Sequence, residues 1–310
     1  MISIVFPGQG SQFKGMAQDF YENYSIAKEI FHKVSDATKI DIKDISFNNK
    51  ENLLNITQYT QICIFTASIA IYEVFNKIFN RDNSLNINYV LGHSLGEYSA
   101  LVASKVLNIN DCSKLLKKRG ELMQNAYQEN MSGMAAVLGI DSKIIKNIIN
   151  KNSLKIELSN DNAPGQVVIS GIMKDIKNSE KLLLQNGAKK IVYLNVSAAF
   201  HSKIMKRAEE DMKLFLSKCT FRDSIFPLIS NFTATPSSKS NIIFENLSQQ
   251  MSNMVRWRES IMYLEQMKEK IVIEVGPGKV LSGLIRRISN TIKVYNLNTI
   301  DDISKIKNDF

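Results

Sequence analysis

Ser94 stands at the centre of Gly92-His93-Ser94-Leu95-Gly96, after the apolar run Tyr89-Val90-Leu91 and before the helix-forming stretch Gly96 to Ser104. A G-x-S-x-G pentapeptide between a strand and a helix is the setting of a nucleophile elbow, in which glycines let the chain turn sharply around an exposed serine. The same pentapeptide also fits an ordinary strand-to-helix turn with Ser94 as the cap. A serine hydroxyl is a poor nucleophile at neutral pH, so acyl chemistry at Ser94 requires a base within hydrogen-bond reach. The chain has 3 histidines. His93 adjoins Ser94 on an extended segment, where neighbouring side chains point to opposite faces. His32 falls in an amphipathic helical pattern beside Phe31 and Val34. His201, in the turn Val196 to Ser202 that follows a strand pattern, is left as the base, with a helix-capping histidine as the structural alternative.

Arg119 adds a second kind of chemistry. Placed on a helix at about 100° per residue, the stretch Asp111 to Tyr127 puts Leu115, Leu116, Leu122, Met123 and Ala126 in one apolar arc, and Arg119 falls inside it. Lys117, Lys118, Glu121 and Gln124 fall outside, and no acid shares the arc. A guanidinium on a buried face needs an anion, and its planar fork suits a carboxylate. The anion is a substrate carboxylate or an acidic side chain from elsewhere, unless the arginine snorkels to water. Phe6 to Gln12, after the first strand pattern, carries Gly8 and Gly10 around Gln9. A strand-end loop of this kind can supply an N–H donor beside that of Leu95 and so form an oxyanion hole, each donor being worth roughly 10²- to 10³-fold in rate. No GxxxxGK[ST] and no G-x-G-x-x-G occurs, so nucleoside triphosphate and dinucleotide binding lose their main signals.

The elements that must hold these residues follow from two alternating periods. Strand-like Ile2–Phe6, Tyr89–His93, Pro227–Asn231 and Ile271–Val275 are separated by helical patterns, as in an α/β layered fold. From Met134 to Val196 the order is β-α-β-β-α-β, the ferredoxin-like unit. The expected architecture is a large α/β-hydrolase-like domain, residues 1–128 and 198–310, interrupted by a smaller ferredoxin-like domain at 129–197. A cleft between the two is the default site. Thr233 to Asn241 reads as a surface connection.

At 310 residues, 44% hydrophobic and 22% charged, the chain can bury a large core and is unlike a disordered or low-complexity sequence. Cys63, Cys112 and Cys219 are well separated with no CxxC pair, so neither a disulfide framework nor a thiolate metal site is expected. A soluble cytoplasmic protein is expected, because no basic leader precedes the first strand pattern and no run reaches membrane-spanning length. A net charge of +9 favours an acidic partner, although scattered solvated surface also accounts for it. Neither nucleic acid nor membrane is expected as a partner: the basic residues form no stripe and no recognition motif.

With Pro7 to Gln12, Gly92 to Leu101, Arg119 in Arg119-Gly120-Glu121-Leu122-Met123-Gln124, Asn162 to Gly171, Ala199 to Ser202 and Glu274 to Leu284, the chain resembles the malonyl-CoA:acyl carrier protein transacylase family over nearly its whole length. The resemblance implies ping-pong transfer of malonyl from coenzyme A, through an ester on Ser94, to the phosphopantetheine thiol of holo acyl carrier protein, supplying fatty acid synthesis. It implies His201 as general base and acid, oriented by the backbone carbonyl of Gln250, an oxyanion hole at Gln9 and Leu95, and Arg119 on the free malonyl carboxylate. No metal or prosthetic group is implied, coenzyme A entering only as part of the substrate, and a monomer is expected. The acidic carrier protein agrees with the positive balance, with Lys189, Lys190, Lys203, Lys206 and Arg207 as candidate contacts. Phe200 matches the malonyl-selective form of its motif, whereas Met254 replaces a common proline and Ala199 stands at a variable position. On this reading Arg119→Ala raises relative acetyl use and spares the reactivity of Ser94. A serine hydrolase or thioesterase would share the elbow, base and oxyanion hole. A non-catalytic carrier-binding module would need none of them.

Overall fold

The structure, a computed structural model, describes residues 2–79, 86–128 and 131–309. Among them ten strands follow in order: β1 (Ile2–Phe6), β2 (Ile87–Gly92), β3 (Ser132–Leu138), β4 (Ile156–Ala163), β5 (Gln166–Ile172), β6 (Lys190–Tyr193), β7 (Leu228–Ile229), β8 (Pro236–Ser237), β9 (Ile271–Val275) and β10 (Lys293–Leu297). An apolar run buried along its length belongs in the middle of a parallel sheet covered on both faces. The β1 run Ile-Ser-Ile-Val-Phe is buried throughout and pairs in parallel with β2 on one side and β9 on the other. The larger sheet reads β10-β9-β1-β2-β7-β8, parallel except at β8.

This order positions the site. Phe6 ends β1 opposite Gly92, the end of β2, so the loop Pro7 to Gln12 and the turn His93 to Leu95 leave neighbouring strands side by side at their carboxyl ends. The N–H of His93 donates to Phe6 O at 3.0 Å and ties the two together. Ligands in open parallel sheets bind at this edge.

The expected inserted unit is present as a second sheet, β4-β5-β3-β6, antiparallel throughout, with helices Ser142–Lys151 and Met173–Gln185 between its strands. It has an apolar core of its own, including Val137, Ile145, Val167, Ile169, Ile176 and Leu183. The expected boundary at 128/129 falls against residues 129–130, outside the described residues. The two sheets are stitched together by Val255, which exchanges backbone bonds with β4 (Val255 N–H to Ser159 O, 2.9 Å; Asp161 N–H to Val255 O, 3.0 Å), and by Arg258, 3.3 Å from both Asp141 and Asp161.

Helix Thr57–Phe79 is apolar on nearly every face, the pattern of a helix surrounded by protein. It is long and apolar enough to cross a membrane by length and composition, and instead most of it is buried in the core. Helix Ile109–Gln124 packs on it and is capped by Asn108, whose Oδ1 accepts from the N–H of Asp111 at 2.9 Å, worth about 1 kcal/mol. The helix stops at Gln124, so Ala126, expected in its apolar arc, lies beyond its end. Thr233 to Asn241 is also corrected: it contains β8 and the first turn of helix Ser240–Leu247 rather than connection alone.

Candidate active site

Close packing explains the glycines of the elbow. A Cβ on Gly92 would sit 2.0 Å from the carbonyl of Gly96, and a Cβ on Gly96 would sit 2.2 Å from Phe6 O. Between them Ser94 adopts φ 52°, a left-handed conformation that costs a non-glycine residue roughly 1–3 kcal/mol. Asn231, from the loop after β7, holds it there: its Oδ1 accepts from the Ser94 N–H and its Nδ2 donates to Gly92 O, each at 2.6 Å. The hydroxyl is thereby presented at the head of helix Gly96–Ala103, into a cavity of about 350 Å³.

His201 reaches that hydroxyl. Its Nε2 lies 2.7 Å from Ser94 Oγ, and its Nδ1 lies 3.0 Å from Gln250 O. A carbonyl oxygen only accepts, so Nδ1 carries the proton and Nε2 offers its lone pair to the serine. Burial, reinforced by the charge of Arg119, pulls the imidazole down to about 3, leaving it neutral and ready to accept a proton. Met254 leaves the carbonyl of Gln250 in place, and the Ser170 hydroxyl of the inserted sheet donates to Phe200 O at 2.7 Å, beside the histidine.

The other two histidines are elsewhere occupied. Nε2 of His93 lies 2.8 Å from Asn162 Oδ1, and its ring packs on Trp257. His32 is exposed beside Tyr21.

Arg119 is wholly buried, as its place on the helix requires. Nη1 donates to Gln61 Oε1 at 2.6 Å, Nη2 donates to Ser94 Oγ at 3.0 Å and to Gln250 Oε1 at 2.9 Å, and the guanidinium lies over the Tyr98 ring. Among the described residues Nε has no hydrogen-bond partner and no carboxylate forms an ion pair with this side chain. Burial pulls its pKa down from the ordinary arginine value. A dry cation held by neutral acceptors is a ready site for an incoming anion.

Gln9 and Leu95 line the same cavity, and among the described residues neither backbone N–H has an acceptor. Two free amides beside a serine hydroxyl suit an oxygen that gains negative charge. The cavity wall is apolar toward Met123, Met134, Val168 and Phe200. A cleft of about 480 Å³ around Glu73, Lys105 and Arg222 shares none of these residues. No group of three or more His, Cys, Asp or Glu able to hold a metal ion occurs among the described residues.

The structure therefore gathers Ser94, His201, Arg119, Gln250, Gln9 and Leu95 in one place. Sequence reasoning missed Gln61, Asn231 and Glu97, and missed that the side chain of Gln250, besides its carbonyl, faces Arg119. Chemically the arrangement can form an ester on Ser94 and hold a carboxylate next to it. The sequence pattern of the acyl transferase domain family matches residues 4–306. The chain belongs to that family. As an acyltransferase it is 38% identical over 305 residues to the malonyl CoA-acyl carrier protein transacylase of Bacillus subtilis (strain 168), covering 97% of this chain and 95% of that protein. Its fold is similar to that of the malonyl CoA-acyl carrier protein transacylase of Clostridium perfringens, with a TM-score of 0.93, 33% identity, and coverage of 99% and 96% of the two chains. A malonyl-transacylase solved in complex with its type II PKS acyl-carrier protein aligns at a TM-score of 0.94 and 30% identity, covering 100% and 99%.

Proposed function

We propose that this acyltransferase moves malonyl from malonyl-CoA to the phosphopantetheine thiol of holo acyl carrier protein, through an ester on Ser94, as a step that supplies fatty acid synthesis. The observation that carries the reading is the double contact on one oxygen: Ser94 Oγ faces neutral His201 Nε2 at 2.7 Å and cationic Arg119 Nη2 at 3.0 Å. A nucleophile beside a base needs only an acyl donor. A nucleophile beside a buried arginine that pairs with no carboxylate among the described residues selects an acyl donor with a carboxylate.

Ser94 Oγ gives its proton to His201 Nε2 as it attacks the thioester carbonyl, whose oxygen takes up charge at the N–H groups of Gln9 and Leu95. Collapse breaks the C–S bond, His201 returns the proton to the departing sulfur, and malonyl remains on Ser94 with its free carboxylate on Arg119. The carrier thiol then gives a proton to His201, attacks the ester, and leaves as the malonyl thioester while Ser94 regains its proton. Coenzyme A enters as part of the substrate, and no cofactor has a role in these steps.

On the same reading the protein acts as a cytoplasmic monomer, with domain boundaries at 128/129 and 197/198. The candidate carrier contacts Lys189, Lys190, Lys203, Lys206 and Arg207 are exposed, with Lys206 paired to Glu209 at 2.9 Å. Lys190 opens the strand whose continuation, Leu194 to Val196, lines the cavity.

Intact mass before and after mixing with malonyl-CoA, with Ser94→Ala as control, tests the reading. One malonyl adduct, absent in the variant and discharged by holo carrier protein, supports transfer. Release of free malonate without an adduct would make the protein a hydrolase, and no reaction at all would leave a carrier-binding module.

A further inference from the structure

Glu97 has no part in the steps above, yet it is buried directly behind the reacting groups, at 1% exposure. Its Oε2 accepts from Gln250 Nε2 at 2.7 Å and from the N–H of Asn231 at 3.2 Å. The other contacts of the Gln250 amide are equally one-sided. Its Nε2 also donates to Ser94 O at 2.9 Å, and its Oε1 accepts from Arg119 Nη2 at 2.9 Å. Glu97 Oε2 and the Ser94 carbonyl, both accepting, demand the NH₂ end of the amide, and a guanidinium demands the oxygen end.

Without Glu97 one of the two acceptors that hold the NH₂ end is gone, and the amide is free to turn its donors toward Arg119. Donor would then face donor, and the guanidinium would lose the contact that holds Nη2 toward Ser94. We propose that Glu97 is the positioning residue for carboxylate recognition, acting through the Gln250 side chain to set the orientation in which Arg119 meets the malonyl carboxylate. The inference rests on the transferase reading and names the part of the site that gives it malonyl preference. Glu97 also supports Asn231, and through it the elbow, so loss of Glu97 slows Ser94 acylation by any donor. Only the orientation of Arg119 separates malonyl from acetyl.

The test is competition between malonyl-CoA and acetyl-CoA for Ser94, read by intact mass, in wild type, Glu97→Met, Glu97→Gln and Gln250→Met. Glu97→Met removes the acceptor and lowers the malonyl-to-acetyl ratio by about tenfold to a hundredfold, the worth of a hydrogen bond to a charged group. Glu97→Gln can keep an acceptor oxygen in place and retains most of the preference. Should Glu97→Met fail to fold, Gln250→Met supplies the same test, because it removes the amide while keeping the main-chain carbonyl on His201, and it too must lose malonyl preference. An unchanged ratio in either methionine variant, with or without a slower overall rate, overturns the proposal. Absence of a malonyl adduct in wild type overturns the transferase reading itself, and this inference with it.

Discussion

Arg119 Nη2 lies 3.0 Å from Ser94 Oγ, so the residue matched to the substrate carboxylate also touches the nucleophile. A cation on that oxygen favours the alkoxide as the proton leaves for His201. The sequence-based expectation that Arg119→Ala spares Ser94 therefore needs correction. Acylation by both malonyl-CoA and acetyl-CoA should slow in Arg119→Ala, with malonyl losing a further factor of about tenfold to a hundredfold. Single-turnover rates with each donor check this. An acetyl rate equal to wild type would show that the contact with Oγ contributes nothing, and an intact malonyl preference would remove Arg119 from carboxylate binding.

The neutrality of His201 sets its own part of the pH dependence. Its folded pKa is depressed to about 3, first by burial and then by Arg119, against an ordinary value of 6.5. Above that low value the imidazole is a free base, so the acid limb of kcat/KM from this group should lie well below neutral pH. Arg119→Gln removes the charge and leaves the burial, so the limb should move to higher pH when followed with acetyl-CoA. An unmoved limb would mean that the charge of Arg119 is not felt at the imidazole. For stability the sign is that of a base kept neutral in the fold: below pH 6.5 the unfolded chain takes the proton and the folded one does not. The contribution of this group to stability falls as the pH drops from 6.5 toward about 3, and His201→Gln should remove that contribution from the curve.

Ser94, His201 and Arg119 were legible because each breaks or obeys a local rule: an elbow spacing, elimination among a few histidines, a charge on an apolar arc. The ferredoxin-like unit was legible because the hydrophobic period switches cleanly between its elements. Gln61, Asn231 and Glu97 were not, since polar side chains become informative only when folding aims them at one another. Gln61 meets Arg119 across 58 residues, Asn231 meets Ser94 across 137, and Glu97 meets Gln250 across 153. Two elements also escaped for want of pattern: β8 is a two-residue pairing, and β10 alternates weakly because most of its side chains are only half-buried.

Gly120 follows Arg119 at the closest approach of its helix to Thr57–Phe79, where a Cβ would sit 2.7 Å from Gln58 Cα. Gln61, one turn beyond Gln58, thereby comes within 2.6 Å of Arg119. Gly120→Ala should overpack this crossing at a cost of about 1–3 kcal/mol, lowering the urea midpoint with an unchanged slope. Because the same shift draws Gln61 away, malonyl acylation should fall as well. A midpoint at the wild-type value would show that the helices separate freely and that this glycine does not set the reach of Gln61.

Asn231 makes the opposite prediction to Arg119 for selectivity. Its two bonds of 2.6 Å, to Ser94 N–H and Gly92 O, grip the elbow backbone and not the acyl group. Asn231→Ala leaves a partly buried donor and a buried acceptor unpaired, costing about 1–3 kcal/mol for each group denied water, and it releases Ser94 from φ 52°. A relaxed serine no longer lines up with both His201 and the free amides of Gln9 and Leu95, so acylation should slow for malonyl and acetyl donors alike. The malonyl-to-acetyl ratio should stay at its wild-type value, since Arg119 and Gln250 are untouched. If Asn231→Ala instead lost malonyl preference at an unchanged acetyl rate, the elbow would be self-supporting, and the Asn231 side chain would belong to carboxylate recognition rather than to the geometry of the nucleophile.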